Sequence, residues 1–396
     1  MEPKKERPKT DGLKNVFALG FVSFFTDVST EMVFSLLPLF VVSLPGSGTE
    51  VLGIIEGLAE SLSNGLRAVS GFFSDKFRKR KIIVLVGYAF SNVVKPLFAV
   101  AQTVVDVLVI RVADRIGKGI RTSPRDALLS ESIPEQRRGT AFGLHRTLDQ
   151  SGAIVGPLLA SFALYVLGFN VRDIFWLSFI PGFVALVVLL VLVQERVGKP
   201  KGEFRFLSGI REVFKGGFPF LLFVVGVFSL GAFNYSFVLL NASNAGVDYR
   251  IVPVFYTLIN VAHTVIAIPS GVLSDKIGKE KVLIIGYGAF LVTNVFLYLF
   301  SANYYFAILI ALIFGVYDGI NNTVPRALVP KYSASELRGT AYGLYYLVVG
   351  LCLLVANVMA GALWQTFGPK ASATYSIMLS TAAIIGMILL TLHQKT

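Results

Sequence analysis

Charge, cysteine, histidine and tryptophan are all scarce in this chain of 396 residues. One cysteine, Cys352, excludes an internal disulfide framework. His145, His263 and His393 are too dispersed to propose a metal site, and neither H-x-x-x-H nor a paired-cysteine motif occurs. No phosphate-cradling glycine loop ends in Lys-Ser or Lys-Thr, so no enzyme, bound cofactor or direct use of ATP is expected. Charged residues make up 15% and hydrophobic ones 54%, against about 25% and about 45–50% in soluble domains. The chain is therefore expected to be integral to a membrane. Its charged start, MEPKKERPKTDGLK, precedes an apolar run too long for a signal-peptide core.

What the chain has in abundance is long apolar segments. A span needs roughly 20 apolar residues. Candidates fall at 15–44, 50–74, 81–103, 104–124, 137–168, 173–195, 217–241, 250–273, 280–301, 304–324, 337–366 and 371–392. The net charge of +12 is not gathered into a basic domain of the kind that binds nucleic acid. Lys and Arg recur at 76–81, 121–138, 196–216 and 276–281, alternating with turns that carry chiefly Arg172, Arg250 and Lys370. That alternation predicts a multi-pass protein of the plasma (inner) membrane with the basic side and both termini cytoplasmic. The polar segment 196–216 divides the chain into 1–195 and 217–396; it either lies against an anionic leaflet or is a solvated linker.

The halves repeat. GFFSDKFRKRK from Gly71 and GVLSDKIGKEK from Gly271 are 200 residues apart, as are RGTAFGL from Arg138 and RGTAYGL from Arg338, and Gly119-Ile120 and Gly319-Ile320. Pro124-Arg125 and Pro325-Arg326 slip by one. Duplication on this scale marks transporters whose substrate site lies between the repeats near the bilayer midplane. One chain holding both repeats is expected to suffice as a monomer.

A charge at the centre of a spanning helix costs about 2.5–3.5 kcal/mol, so each one should pair or line a wet cavity. FFTDVSTEMVF sets Asp27 and Glu31 four residues apart, about 40° apart around a helix axis. They either exchange protons near neutral pH, a use suited to crowded and poorly solvated carboxyls, or accept hydrogen bonds from an Arg and stay ionised. In VIRVADRIGKGIRTSPRD, Arg111, Asp114, Lys118, Arg121 and Arg125 form one stripe, with Arg111 and Asp114 the deep members. In RRGTAFGLHRTLDQSGAIVGPLLA, Arg146 and Asp149 are either a local ion pair or part of a relay with Asp27 and Arg111. The same segment holds Gly143, Gly152, Gly156 and Pro157, which suit close approach by another helix. Glu56 is expected near the outer mouth, and Lys95, before Pro96, to reach water through a kink. The second half has fewer deep charges. Asn234, Tyr235, Asn260, Tyr317, Asp318 and Asn321 are its candidates for substrate contact, although aromatics facing lipid are the simpler account of many rings.

With these residues in view, the chain resembles the major facilitator superfamily over essentially its full length. The family's loop signature, G-x-x-x-D-[RK]-x-G-[RK]-[RK], is matched by Gly71, Asp75, Lys76, Lys79 and Arg80, with Arg78 at the usual glycine. A second copy has Gly271, Asp275, Lys276, Gly278 and Lys279, with Glu280 at a usually basic position. The resemblance implies that the motif's Asp latches onto a cytoplasmic helix end, where a carboxylate suits the positive dipole. Gly143, Gly152, Gly156 and Pro157 resemble the G-x8-G-x3-G-P pattern of the superfamily's drug:proton antiporters, with Ala160-Ser161 at the usual closing glycines. The deep arginine of such antiporters corresponds to Arg111, or to Arg115 if the phase differs. The resemblance implies an all-α fold of twelve transmembrane helices in two pseudo-symmetric six-helix bundles. It further implies alternating access and export of a small organic solute in exchange for protons. Proton-coupled uptake or anion exchange is the alternative on the same fold, and a non-transporting receptor is a third reading.

Overall fold

A computed structural model describes residues 10–77, 80–134, 137–195, 214, 216–333 and 338–393. Every regular element among them is helical. In the first half, α1 is Thr10–Phe34 continued by Leu37–Ser43, α2 is Thr49–Phe77, and α3 is Arg80–Val94 tightening into a 3-10 turn at Lys95–Ala99. Helix α4 is Val104–Ser132, α5 is Arg138–Tyr165, and α6 is Val171–Leu177 with Phe179–Leu192. In the second half, α7 is Phe218–Gly231 with Tyr235–Asn244, α8 is Val252–Ile277, and α9 is Lys279–Phe300. Helix α10 is Tyr304–Leu328, α11 is Arg338–Phe367 and α12 is Pro369–His393. The linker 196–216 falls almost wholly outside the described residues, and so does Lys79.

The helix ends follow local chemistry. Thr103 and Asp106 form a reciprocal capping box at the start of α4, as do Asn170 and Asp173 at the start of α6. Pro38 opens the second piece of α1 and Pro96 lies in the 3-10 turn of α3, both near positions where a missing N–H is tolerated. Gly278, between α8 and α9, has φ +103°, a conformation that side chains bearing a Cβ rarely adopt. This is the glycine that the second loop motif keeps.

Nine of the described helices are long and apolar enough to cross a membrane. Three more, α2, α4 and α5, have 29, 29 and 28 residues but fall short of that hydropathy. These three carry most of the deep charge. Its effect on packing is visible in the cores. The first half has two separate apolar clusters, one around Val33, Phe98 and Phe175 and the other around Val16, Leu128 and Leu189. The second half has one continuous core from Phe218 to Leu390.

The duplication extends to packing. A Cβ on Gly119 of α4 would lie 2.5 Å from Leu66 Cβ on α2, and one on Gly319 of α10 would lie 2.4 Å from Ile266 Cγ2 on α8. Leu66 and Ile266 are themselves 200 residues apart. An ion pair repeats at the same spacing with its signs exchanged. Arg80 pairs with Glu131 in the first half, and Glu280 pairs with Lys331 at 2.5 Å in the second. The unexpected acid in the second motif thus has a base waiting for it.

The halves meet through α2 with α11, α5 with α8, and the second pieces of α1 and α7. Gly53 lies against the Asn357 carbonyl and Gly361 against the Thr49 carbonyl, so α2 and α11 touch backbone to backbone. Thr49 donates its N–H to Gln365 Oε1 (3.0 Å), and Ser161 Oγ donates to the Arg250 carbonyl (2.7 Å). These contacts lie at the end opposite the basic loops, here called the far end. Gly119→Ala and Gly319→Ala should each lower stability by about 1–3 kcal/mol through overpacking. Gly288→Ala, whose Cβ meets nothing within 4 Å, should be neutral or stabilising by about 0.5–1 kcal/mol. Thermal unfolding of the three variants in detergent checks this, and equal shifts would contradict it.

Candidate functional site

Between the two apolar clusters of the first half lies a layer of charge. Arg111 of α4 is 0% exposed and donates from Nη2 to Glu56 Oε2 of α2 at 2.7 Å. Its guanidinium stands over the Phe34 ring at 3.7 Å, with that of Arg115 5.0 Å from the same ring. Glu56, two turns from the far-end start of α2, is fully buried against α4 rather than open to solvent. Asp114 accepts from Ser91 Oγ of α3. Lys95 is also 0% exposed. It does not reach water through the kink; its amine turns to α1, where it donates to Thr30 Oγ1 at 3.0 Å.

Helix α5 brings the second set of charges, and its glycines set the distance. A Cβ on Gly152 would meet the Phe24 carbonyl at 2.3 Å and Asp27 Cβ at 3.1 Å. One on Gly156 would meet the Val28 carbonyl at 2.7 Å and Glu31 Cβ at 3.2 Å. The two glycines thus press α5 onto α1 at the two acidic residues. Gly143 makes no such approach, since its Cβ would meet nothing within 4 Å, and the helix runs through Pro157 unbroken. With α5 so close, the carboxyl of Asp149 meets that of Asp27. Asp149 also accepts from Arg146 Nη1 at 3.0 Å.

The sequence-derived partners are only partly joined. Asp27, Glu31 and Asp149 come together on α1 and α5, and Arg146 with them. Arg111 takes Glu56 instead of Asp27. His145 hydrogen-bonds Ser23 at 2.9 Å, and Ser23 contacts Tyr88.

On the second half, Tyr235 and Tyr256 stack at 4.4 Å, and Tyr256 faces Glu31 across the interface. Asn260 donates to the Ala153 carbonyl of α5 at 3.3 Å. Asp318 accepts from His263 Nδ1 at 2.7 Å and from Asn322 Nδ2 at 2.7 Å. Asn321 beside them is half-buried. Asn234 serves the break in α7, accepting from the Ser236 N–H at 2.9 Å while its own N–H donates to Asn357. Tyr317 packs into the aromatic core with Phe290 (4.6 Å), Phe314 and Phe228 rather than facing the other half.

The gate motifs are described in part. The side chains of Gly71, Asp75 and Lys79 lie outside the described residues. In the second copy, Gly271 is half-buried and Asp275 is exposed at the end of α8, while Lys279 opens α9. The helix-end contact expected of Asp75 therefore lies outside the described residues. Glu195 accepts from the N–H groups of Arg80 (3.2 Å) and Lys81 (2.9 Å) at the start of α3. Glu56, Ser91, His263 and Glu195 are the residues that sequence reasoning left without these roles. Each is far along the chain from its partner, so no local pattern marks the pairing.

A family model described as Major Facilitator Superfamily matches residues 19–356 and 221–395. An uncharacterized MFS-type transporter of Methanocaldococcus jannaschii is 36% identical over 384 residues, covering 95% of this chain and 94% of that protein. Multidrug resistance protein MdtG of Dickeya zeae is 23% identical over 397 residues, covering 95% and 92%. Among solved structures, nucleoside transporter NupG superposes with a TM-score of 0.76 at 12% identity, covering 96% of this chain and 99% of that one. Peptide transporter POT, in complex with sulfate, gives 0.77 at 14%, covering 98% and 95%. The fold is two pseudo-symmetric helical bundles, and this chain, a membrane transporter and not an enzyme, belongs to the Major Facilitator Superfamily.

Proposed function

We propose that the protein is a proton-coupled antiporter that exports a small organic solute across the plasma membrane by alternating access. In this reading the basic loops and both termini are cytoplasmic, and one chain is the working unit. The observation that carries it is the contact of Gly152 and Gly156 with α1 at Asp27 and Glu31, which delivers Asp149 to Asp27. Two carboxyls that hydrogen-bond each other hold a proton between them, because an ionised carboxylate can only accept. A solute that hydrogen-bonds or pairs with these groups competes with that proton, and mutual exclusion at one site is what exchange requires. The Arg146 guanidinium beside Asp149 stays charged throughout and favours the ionised state once the proton leaves. Contact between the halves at the far end leaves the cytoplasmic end as the side for loading. A relative named for multidrug resistance supports export.

Anion transport is the second reading, and one observation favours it. Arg111 Nε and Nη1 and Arg115 Nε are buried without a hydrogen-bond partner. An anion drawn to them would bind best when the nearby carboxyls hold protons, so anion and proton would move together. The direction of proton movement therefore separates the two readings.

In everted vesicles with an inward-acid gradient, a pH dye should report discharge when a transported solute is added. Asp27→Asn should reduce that response by roughly tenfold or more. Solute movement that is the same without a gradient, or unimpaired in Asp27→Asn, would refute the proton assignment; further acidification of the interior on solute addition, protons entering with the solute, would favour the anion reading.

Arg111→Ala should behave differently from Asp27→Asn, because it leaves Glu56 buried and unpaired, at a cost of about 3–5 kcal/mol. Glu56→Leu combined with Arg111→Met should recover most of that loss in a thermal-unfolding assay. Full transport by the double variant would show the pair to be structural, whereas restored stability without transport would place it in the transport cycle.

A further inference from the structure

The seam between α5 and α8 is a ladder of hydrogen bonds descending from the far end. Ser161 meets the Arg250 carbonyl, Asn260 the Ala153 carbonyl, and Gln150 Nε2 donates to Thr264 Oγ1 at 3.2 Å. Among the described residues, the bond of this seam nearest the basic end joins Arg146 Nη2 to His263 Nε2 at 3.3 Å. It differs in kind from the others because its acceptor can be titrated. Arginine has only donors, so Nε2 of His263 must present its lone pair. The other ring nitrogen, Nδ1, carries the hydrogen and donates to Asp318 Oδ2. The ring is thus fixed as one neutral tautomer by partners in opposite halves of the molecule. Tight packing holds it there: a Cβ on Gly319 of α10 would lie 2.6 Å from the His263 carbonyl, and one on Gly315 2.4 Å from the Ile259 carbonyl.

We propose that His263, backed by Asp318, is a second proton-binding site, in the half opposite Asp27 and Asp149, and that its occupancy decides whether Arg146 bridges the halves. A proton arriving at Nε2 replaces the lone pair with an N–H aimed at a guanidinium. Donor then faces donor and cation faces cation, so the bond to Arg146 is lost, while the imidazolium is retained by the Asp318 carboxylate. Arg146, released from His263, keeps its bond to Asp149. The contact across the halves is therefore present while Nε2 of His263 is unprotonated and lost once it takes up a proton.

The charged groups that meet the ring are Arg146 from α5 and Asp318 from α10, with Asp149 one bond behind Arg146 and Asp27 behind Asp149. On α8 itself no titratable side chain lies within one turn of His263. Protons have a route, because the Arg146 side chain is 47% exposed and that of Asp318 36%, against 7% for His263.

This inference rests on the alternating-access reading above and is tested separately from proton-coupled export. The single native cysteine makes a clean background, Cys352→Ser. Nitroxide labels at Val166→Cys and Tyr305→Cys, both exposed at the far ends of α5 and α10, report by electron double resonance on protein in lipid nanodiscs between pH 5.5 and 8.5. As pH is lowered across this range, the long-distance population should rise, with the open-to-closed ratio changing about tenfold. His263→Gln should keep the short distance and abolish the response, since its amide can accept from Arg146 and donate to Asp318 but takes up no proton. Asp318→Asn should shift the midpoint to lower pH by roughly one unit, because the imidazolium loses its counter-charge. A full response in His263→Gln, or an unmoved midpoint in Asp318→Asn, would overturn the proposal. Asp27→Asn should retain the distance response even where it loses transport, so failure of the export reading leaves this result standing and the converse also holds.

Discussion

Charge held inside a membrane-spanning bundle must be matched within reach of a hydrogen bond, and that requirement organises the first half of this molecule. Arg111, Lys95, Glu56 and Asp114 are all essentially sealed from solvent. At about 2.5–3.5 kcal/mol each on insertion scales, they could not be tolerated singly. Pairing them demands that α1, α2, α3 and α4 converge at one level. The apolar core is divided in two by that convergence. The second half, with few such residues, keeps its core whole.

Close approach is what makes the pairing possible, and glycine supplies it. Gly152 and Gly156 bring α5 against the α1 backbone where Asp27 and Glu31 stand. Without that contact Asp149 would not meet Asp27, and the acidic cluster would be separate acids. The same logic holds in the other half, where Gly315 and Gly319 seat α10 on α8 beside His263. Packing thus comes before chemistry: the small residues decide which side chains become neighbours, and the neighbours decide where protons can reside.

Much of the architecture was legible in the sequence, because its signals are local or periodic. Apolar runs give the spans, the 200-residue offset gives the duplication, and four-residue spacing puts Asp27 and Glu31 on one face. The joining of α5 to that face was half legible: the glycine pattern was evident, but its target was not. Pairings between distant helices were not legible at all. Glu56 meets Arg111 and His263 meets Asp318, each across 55 residues, and nothing local to either residue distinguishes a buried partner from a snorkelling or capping role. The placement of Lys95 went wrong for the same reason, since its nearest polar group is a threonine on α1. Tyr317 looked like a cavity residue only because the sequence cannot say which face of α10 turns inward.

The shared separation of 55 residues shows how the two halves diverged. Helices α2 and α4 run side by side in the same direction, as do α8 and α10, so a fixed separation recurs at every level of each pair. In the first half the charged pair sits at Glu56 and Arg111; in the second it sits at His263 and Asp318, seven positions further along the repeat, about two turns nearer the basic end. The positions that would repeat Glu56 and Arg111 hold Tyr256 and Ala311. By contrast, the ion pair at the basic end is kept in both copies with its signs exchanged, Arg80 with Glu131 and Glu280 with Lys331. What the fold requires at that end is a neutral pair of either polarity, and the loop motif's preference for a base there is secondary. At membrane depth no such equivalence is kept, because a sealed pair and a pair in contact with the opposite half have different work. The permanently charged Arg111 is locked against Glu56 within one half. The titratable His263 is placed where the halves touch, and there a change of one proton can alter the contact between them.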